Sequence, residues 1–167
     1  MAFPQTAYAL KPVTALPGQD MDPAMAGRHV ESWVASEAIP FGCAVEFNSG
    51  KVRRPQQAST ALDFQGVALY SSAKEPDSGG GYVAGDLVPV MRKGRVACVW
   101  TGTTVVENAV PKVRHSSTIA TNRGYFTDAA EDASAGTEIH NAPNGVRMRG
   151  TAVLETGLVE IELNVPA

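Results

Sequence analysis

Ile39-Pro40-Phe41-Gly42-Cys43-Ala44-Val45-Glu46-Phe47 is a phrase that this chain repeats. It returns as Tyr82-Val83-Ala84-Gly85-Asp86-Leu87-Val88-Pro89-Val90, and more weakly as Val105-Val106-Glu107-Asn108-Ala109-Val110-Pro111-Lys112-Val113. Each copy sets apolar residues before a Gly or Asn and a short apolar run after it. Gly and Asn accept positive φ, so the shared fourth position predicts a tight turn feeding a strand.

Outward from these phrases the chain keeps strand periodicity. Val30, Ser32 and Val34 share one face of a strand, and Glu31, Trp33 and Ala35 the other. Either the valines face the core and Trp33 faces out, or the strand is central with both faces covered. Val67 and Leu69 alternate after Gly66. Lys93-Gly94 predicts a turn before Arg95–Trp100, where Val96, Cys98 and Trp100 share a face. Val146–Glu155, Thr156-Gly157 and Val159–Val165 form the clearest hairpin, with Glu160 and Glu162 on its polar side. Thr127–Ala135 is the best helical stretch, with Thr127 or Asp128 as its cap. The expected fold is mainly β: a small barrel or sandwich of short antiparallel strands with at most one short helix.

Residues 1–27 differ in kind. Pro4, Pro12, Pro17 and Pro23 recur among Phe3, Tyr8, Leu10, Met21 and Met25. Proline favours extended or turn conformations. A flexible linker would not need so many apolar side chains, so the stretch reads as an arm. It folds back on its own domain, orders against another subunit or a larger surface, or stays disordered. The division is an arm over 1–27 and a β domain over 28–167.

Composition removes several functions. The chain has 167 residues, 44% hydrophobic and 19% charged, enough for a core and too little charge for a disordered chain. Its net charge of −3 gives no overall attraction to nucleic acid. Lys51-Val52-Arg53-Arg54 and the Arg147/Arg149 pair lack interleaved stacking aromatics. The N-terminal stretch lacks the charged region and apolar core of a signal peptide. No apolar run approaches the ~20 residues of a membrane helix. Cys43 and Cys98 sit in apolar runs and read as buried free thiols; a disulfide would need their strands to be neighbours.

No catalytic constellation emerges, so no enzyme, cofactor or metal is expected. There is no Gly-x-Ser-x-Gly elbow. In His115-Ser116-Ser117 the adjacent residues point to opposite strand faces. His29 and His140 read as surface or hydrogen-bonded histidines. The loop Pro76-Asp77-Ser78-Gly79-Gly80-Gly81 is not followed by Lys-Ser/Thr, so it is no Walker A loop. Asp20 and Asp22 offer too few oxygens for calcium.

The order of the phrases resembles the structural cement, or capsid decoration, proteins of tailed bacteriophages. The resemblance runs from Gly27 through Ile39–Phe47, Gly66-Val67-Ala68, Tyr82–Val90, Lys93-Gly94-Arg95-Val96, Val110–Val113 and Gly124-Tyr125-Phe126-Thr127. It closes at Gly157–Leu163. Asn108-Ala109 departs from the Gly-led turn the family often has. The resemblance implies a non-enzymatic virion protein that binds the outer surface of an assembled capsid and stabilises it. Its partners would be the major capsid protein and itself, as a homotrimer. No nucleic acid, membrane or small-molecule substrate is implied. It would sit on the capsid surface after assembly in the host bacterial cytoplasm. The contact residues expected are Phe3, Tyr8, Leu10, Met21, Met25 and Trp33. The alternative is a β-barrel ligand- or carbohydrate-binding module of a phage head or tail.

Overall fold

The computed structural model describes residues 15–22, 24, 26–56, 63–74, 80–115, 122–128, 139–141, 145–154 and 157–165. Among these, the first strands are β1 (His29–Val34), β2 (Ile39–Pro40), β3 (Ala44–Asn48), β4 (Lys51–Arg53), β5 (Phe64–Ala68) and β6 (Gly81–Tyr82). Then come β7 (Leu87–Val99), β8 (Lys112–Arg114), β9 (Phe126–Thr127), β10 (Ile139–Asn141), β11 (Arg147–Leu154) and β12 (Leu158–Asn164). Among the described residues a 3₁₀ turn spans Ser72–Lys74.

The turn prediction holds in all three phrases. Gly42, Gly85 and Asn108 have φ of 69°, 94° and 64°, and a strand follows each. The first two copies also meet, because Ile39 pairs with Tyr82 and Pro40 with Gly81 across β2 and β6.

Among the described residues, all paired strands are antiparallel. A seven-stranded sheet runs β11-β12-β7-β5-β3-β4, with β1 also on β7. A three-stranded sheet runs β10-β8-β9. The large sheet ends at β11 and β4 and does not close, so the architecture is sandwich-like and not a barrel. Val113 and Phe126 of the small sheet share a core with Met91, Val96, Cys98 and Ile161 of the large one. The Phe64 and Phe126 rings meet edge to face at 6.5 Å. On the other side, Ile39, Phe41 and Tyr82 cover Val45, Val88 and Val90.

The turn expected at Lys93-Gly94 is instead the middle of one 13-residue strand, β7. Its first half pairs with β1 and β5, and its second half with β12 and Asp20. Met91 and Val96 are five residues apart, which strict alternation would put on opposite faces. Both nonetheless enter the same core cluster. The register against β1 supplies the correction: His29 lies opposite Lys93 but Val30 opposite Met91, so Arg92 is an extra, bulged residue that rotates the strand by one. Just beyond it Gly94 has φ 138°, with the Met91 sulfur 2.9 Å from where a Cβ would stand.

The helix expected at Thr127–Ala135 begins, in the described residues, as the end of β9. The Asp128 carboxylate accepts the N–H groups of Thr103 (3.0 Å) and Thr104 (2.7 Å). It therefore ties down a distant loop. Residues 129–135 lie outside the described residues.

Candidate docking surface

A turn at Leu16-Pro17-Gly18-Gln19 begins the described chain's attachment to the sheet. Gln19 N–H donates to the Leu16 carbonyl at 3.0 Å, and Leu16 N–H donates to Gln19 Oε1 at 2.9 Å. Proline then glycine at positive φ (74°) is the sequence a type II turn requires. Gly18 N–H donates to Ala97 O (2.7 Å) and Tyr70 N–H to Gly18 O (2.8 Å). Ala97 N–H donates to Gln19 O (3.0 Å) and Met21 N–H to Arg95 O (2.9 Å). Ala15 is buried with Ala97 and Leu158, and Met21 packs against them. Residues 15–22 thus behave as part of the β domain.

Beside this turn lies an open groove of about 220 Å³. Its walls are Leu16, Pro17, Pro40, Phe41, Tyr70, Gly80, Val99 and Tyr125. None of these carries a carboxylate, amine or imidazole. The Phe41 ring stands edge to face with Tyr70 and Tyr82, each at 5.2 Å, which stiffens the floor. The volume is below the ~300 Å³ at which small-ligand pockets begin. Further apolar side chains reach solvent at Leu16 (45% exposed), Val83 (52%), Leu87 (65%) and Val106 (55%).

Of the expected contact residues, Phe3, Tyr8, Leu10 and Met25 lie outside the described residues. Met21 is half-buried in the domain. Trp33 is also half-buried and packs against the second core cluster, while Val30 packs against the first. Strand β1 is therefore partly covered on both faces. The Trp33 ring meets Phe47 at 4.9 Å, and its Nε1–H donates to Glu31 (3.1 Å). Arg92 and His29 approach the same carboxylate at 3.3 and 3.2 Å. Sequence reasoning missed Tyr70, Tyr125 and Leu87, whose exposure is decided by long-range packing.

Three arginines of the basic clusters have carboxylates beside them. Arg53 pairs with Glu46 at 2.6 Å, the Arg54 guanidinium lies 4.0 Å from Glu37, and Arg149 pairs with Glu162 at 2.8 Å. Glu160 and Glu162 do not simply face water as alternation suggested. Arg95 of β7 lies 3.6 and 3.5 Å from them, and their side chains are 12% and 24% exposed. The Arg149 hydrogen bond and charge hold the Glu162 carboxyl below its ordinary range, against a burial effect of opposite sign. Among the described residues, no group of three or more His, Cys, Asp or Glu could hold a metal ion.

Cys43 and Cys98 are free thiols with no exposed surface. Burial pushes Cys43 up to about 12 and Cys98 well above its ordinary value. Thiolates are the reactive form, so neither residue should react with a thiol reagent in the native protein. Both should react once urea unfolds the chain; rapid native labelling would show that one of these strands opens.

No curated protein matches the chain. A chain in the solved capsid of Myoviridae phage XM1 superposes with a TM-score of 0.66 at 14% identity, covering 98% of each chain. At that identity the likeness establishes the shared fold. The family model described as structural cement protein (E217 gp24/Pam3 gp6) matches residues 3–164, nearly the whole sequence, and the chain belongs to that family.

Proposed function

We propose that this structural, capsid-stabilising protein docks on the outer surface of an assembled phage head as a homotrimer, in contact with the major capsid protein. The observation that carries this reading is the apolar face around Leu16, Tyr70 and Tyr125, set beside the point where the N-terminal arm joins the domain. Apolar and aromatic surface of this kind gains free energy when a partner excludes water from it. Repeated docking over a lattice turns modest single contacts into firm retention. The small groove without convergent polar groups weighs against the ligand- or carbohydrate-binding alternative. On this reading the protein resides on the capsid surface after assembly in the bacterial cytoplasm.

Deletion is the direct test, and the hydrogen bonds of residues 15–22 fix where it should stop. Removing 1–27 would strip Ala15 and Gly18 from the domain. Removing 1–14 spares them. The 1–14 deletion should keep the urea midpoint of the full chain and lose at least tenfold (about 1.4 kcal/mol) in retention on heads. Co-sedimentation with heads lacking the protein reads the second quantity. Unchanged retention would remove the arm from the docking account.

A further inference from the structure

Pro17, Pro40, Phe41, Tyr70 and Tyr125 wall the groove, and Leu16 stands at its rim. Aromatic and proline walls suit an extended proline-containing segment, whose restricted backbone loses little entropy on docking. The volume of about 220 Å³ suits one or two side chains. The chain itself supplies such a segment in Phe3-Pro4-Gln5-Thr6-Ala7-Tyr8-Ala9-Leu10-Lys11-Pro12.

That segment joins the domain at Ala15, directly before the groove's rim. The Leu16–Gln19 turn reverses the chain, and Ala15 is buried against Ala97 and Leu158. For the same copy's Tyr8 and Leu10 to fill the groove, the chain would have to reverse again within the four residues between Leu10 and Ala15. A neighbouring copy meets no such constraint. In extended form the ten-residue stretch reaches roughly 30 Å, about twice the ~15 Å radius of gyration of a domain this size.

We propose that the groove receives the Phe3–Pro12 stretch of a second copy, with Tyr8 and Leu10 as the side chains it takes. This deepens the docking reading, and rests on it only for bringing copies close together on the shell. The arm then links copies to one another, and the remaining exposed apolar surface is left for the shell.

The test uses the full chain with a photoreactive benzoylphenylalanine in place of Tyr8. Heavy-isotope and light chains are mixed, then irradiated both free in solution and on heads. The expected result is cross-links from position 8 to peptides containing Tyr70 or Tyr125, joining heavy chains to light ones. Leu16→Glu, a change at an exposed rim position, should abolish those links while leaving the urea midpoint unchanged. Links confined to single chains, links to the capsid protein alone, or no mixed links in either sample would overturn the proposal. Protein bound to heads is weighed separately. Decoration without mixed links defeats this inference alone; mixed links without decoration defeat the docking reading alone.

Discussion

Gly18→Ala is expected to destabilise the protein by about 2–5 kcal/mol, combining ~1–2 for a side chain in the left-handed region with ~1–3 for overpacking. A Cβ at Gly18 would stand 2.6 Å from Tyr70 N, 2.7 Å from Ala68 O and 2.8 Å from Gly42 N. All three are backbone atoms of neighbouring segments, so no side chain can swing aside. The φ of 74° adds strain whatever space is made. Total stabilities of domains are only about 5–15 kcal/mol, so the loss is a large share. Urea unfolding should show a lowered midpoint. Amide exchange should quicken first at Met21 and Ala97, whose N–H groups bond across this junction. A midpoint within error of the parent would mean that the 15–22 segment is dispensable to the domain.

Arg53→Ala carries the second large effect, about 3–5 kcal/mol near neutral pH, because it removes the cation paired with a buried carboxylate. Glu46 lies opposite Arg53 across β3 and β4, with its side chain 2% exposed. Burial raises the Glu46 carboxyl above its ordinary 4.5, and the Arg53 hydrogen bond and charge oppose that rise. The Gln56 backbone N–H also opposes it, while Asp63 adds to it. The sign follows from linkage. A carboxyl raised in the folded state binds its proton more tightly there than in the unfolded chain. Its contribution is therefore most favourable below 4.5 and is lost as pH rises through the folded value. Without Arg53 the rise is larger. The variant's deficit should be greatest at neutral pH and shrink in acid, where Glu46 is neutral in both proteins. Arg53→Ala combined with Glu46→Leu should recover much of the loss, since no buried carboxylate is then left without its cation. Urea midpoints at several pH values check this. A deficit independent of pH would assign the cost to lost packing by the arginine stem.

The turns of the three phrases were legible because their cause is local. Gly42, Gly85 and Asn108 are residue types that accept positive φ, and apolar alternation follows each. Lys93-Gly94 carries the same local signal with a different outcome. What distinguishes it is Met91 lying over Gly94 and partners continuing along both edges, none of which is adjacent in sequence. Likewise, alternation placed Glu160 and Glu162 on a polar side, but only the fold brings Arg95 and Arg149 to them. Pro17 lies in a stretch expected to be extended or turn-rich. That its backbone would lock onto Tyr70 and Ala97 depends on segments about fifty and eighty residues away. The groove was invisible for the same reason: its walls come from six separate stretches of chain.

The uninterrupted course of β7 has a mechanical meaning. Its 13 residues extend roughly 43 Å at ~3.3 Å each. A pull along that axis shears the hydrogen bonds to β1, β5, β12 and residues 18–21, which resist together. A pull across it peels the same bonds one after another, at far lower force. The strand thus gives the domain a stiff direction and a weak one. A shell swelling under load would be best restrained by copies whose β7 lies along the direction of stretch.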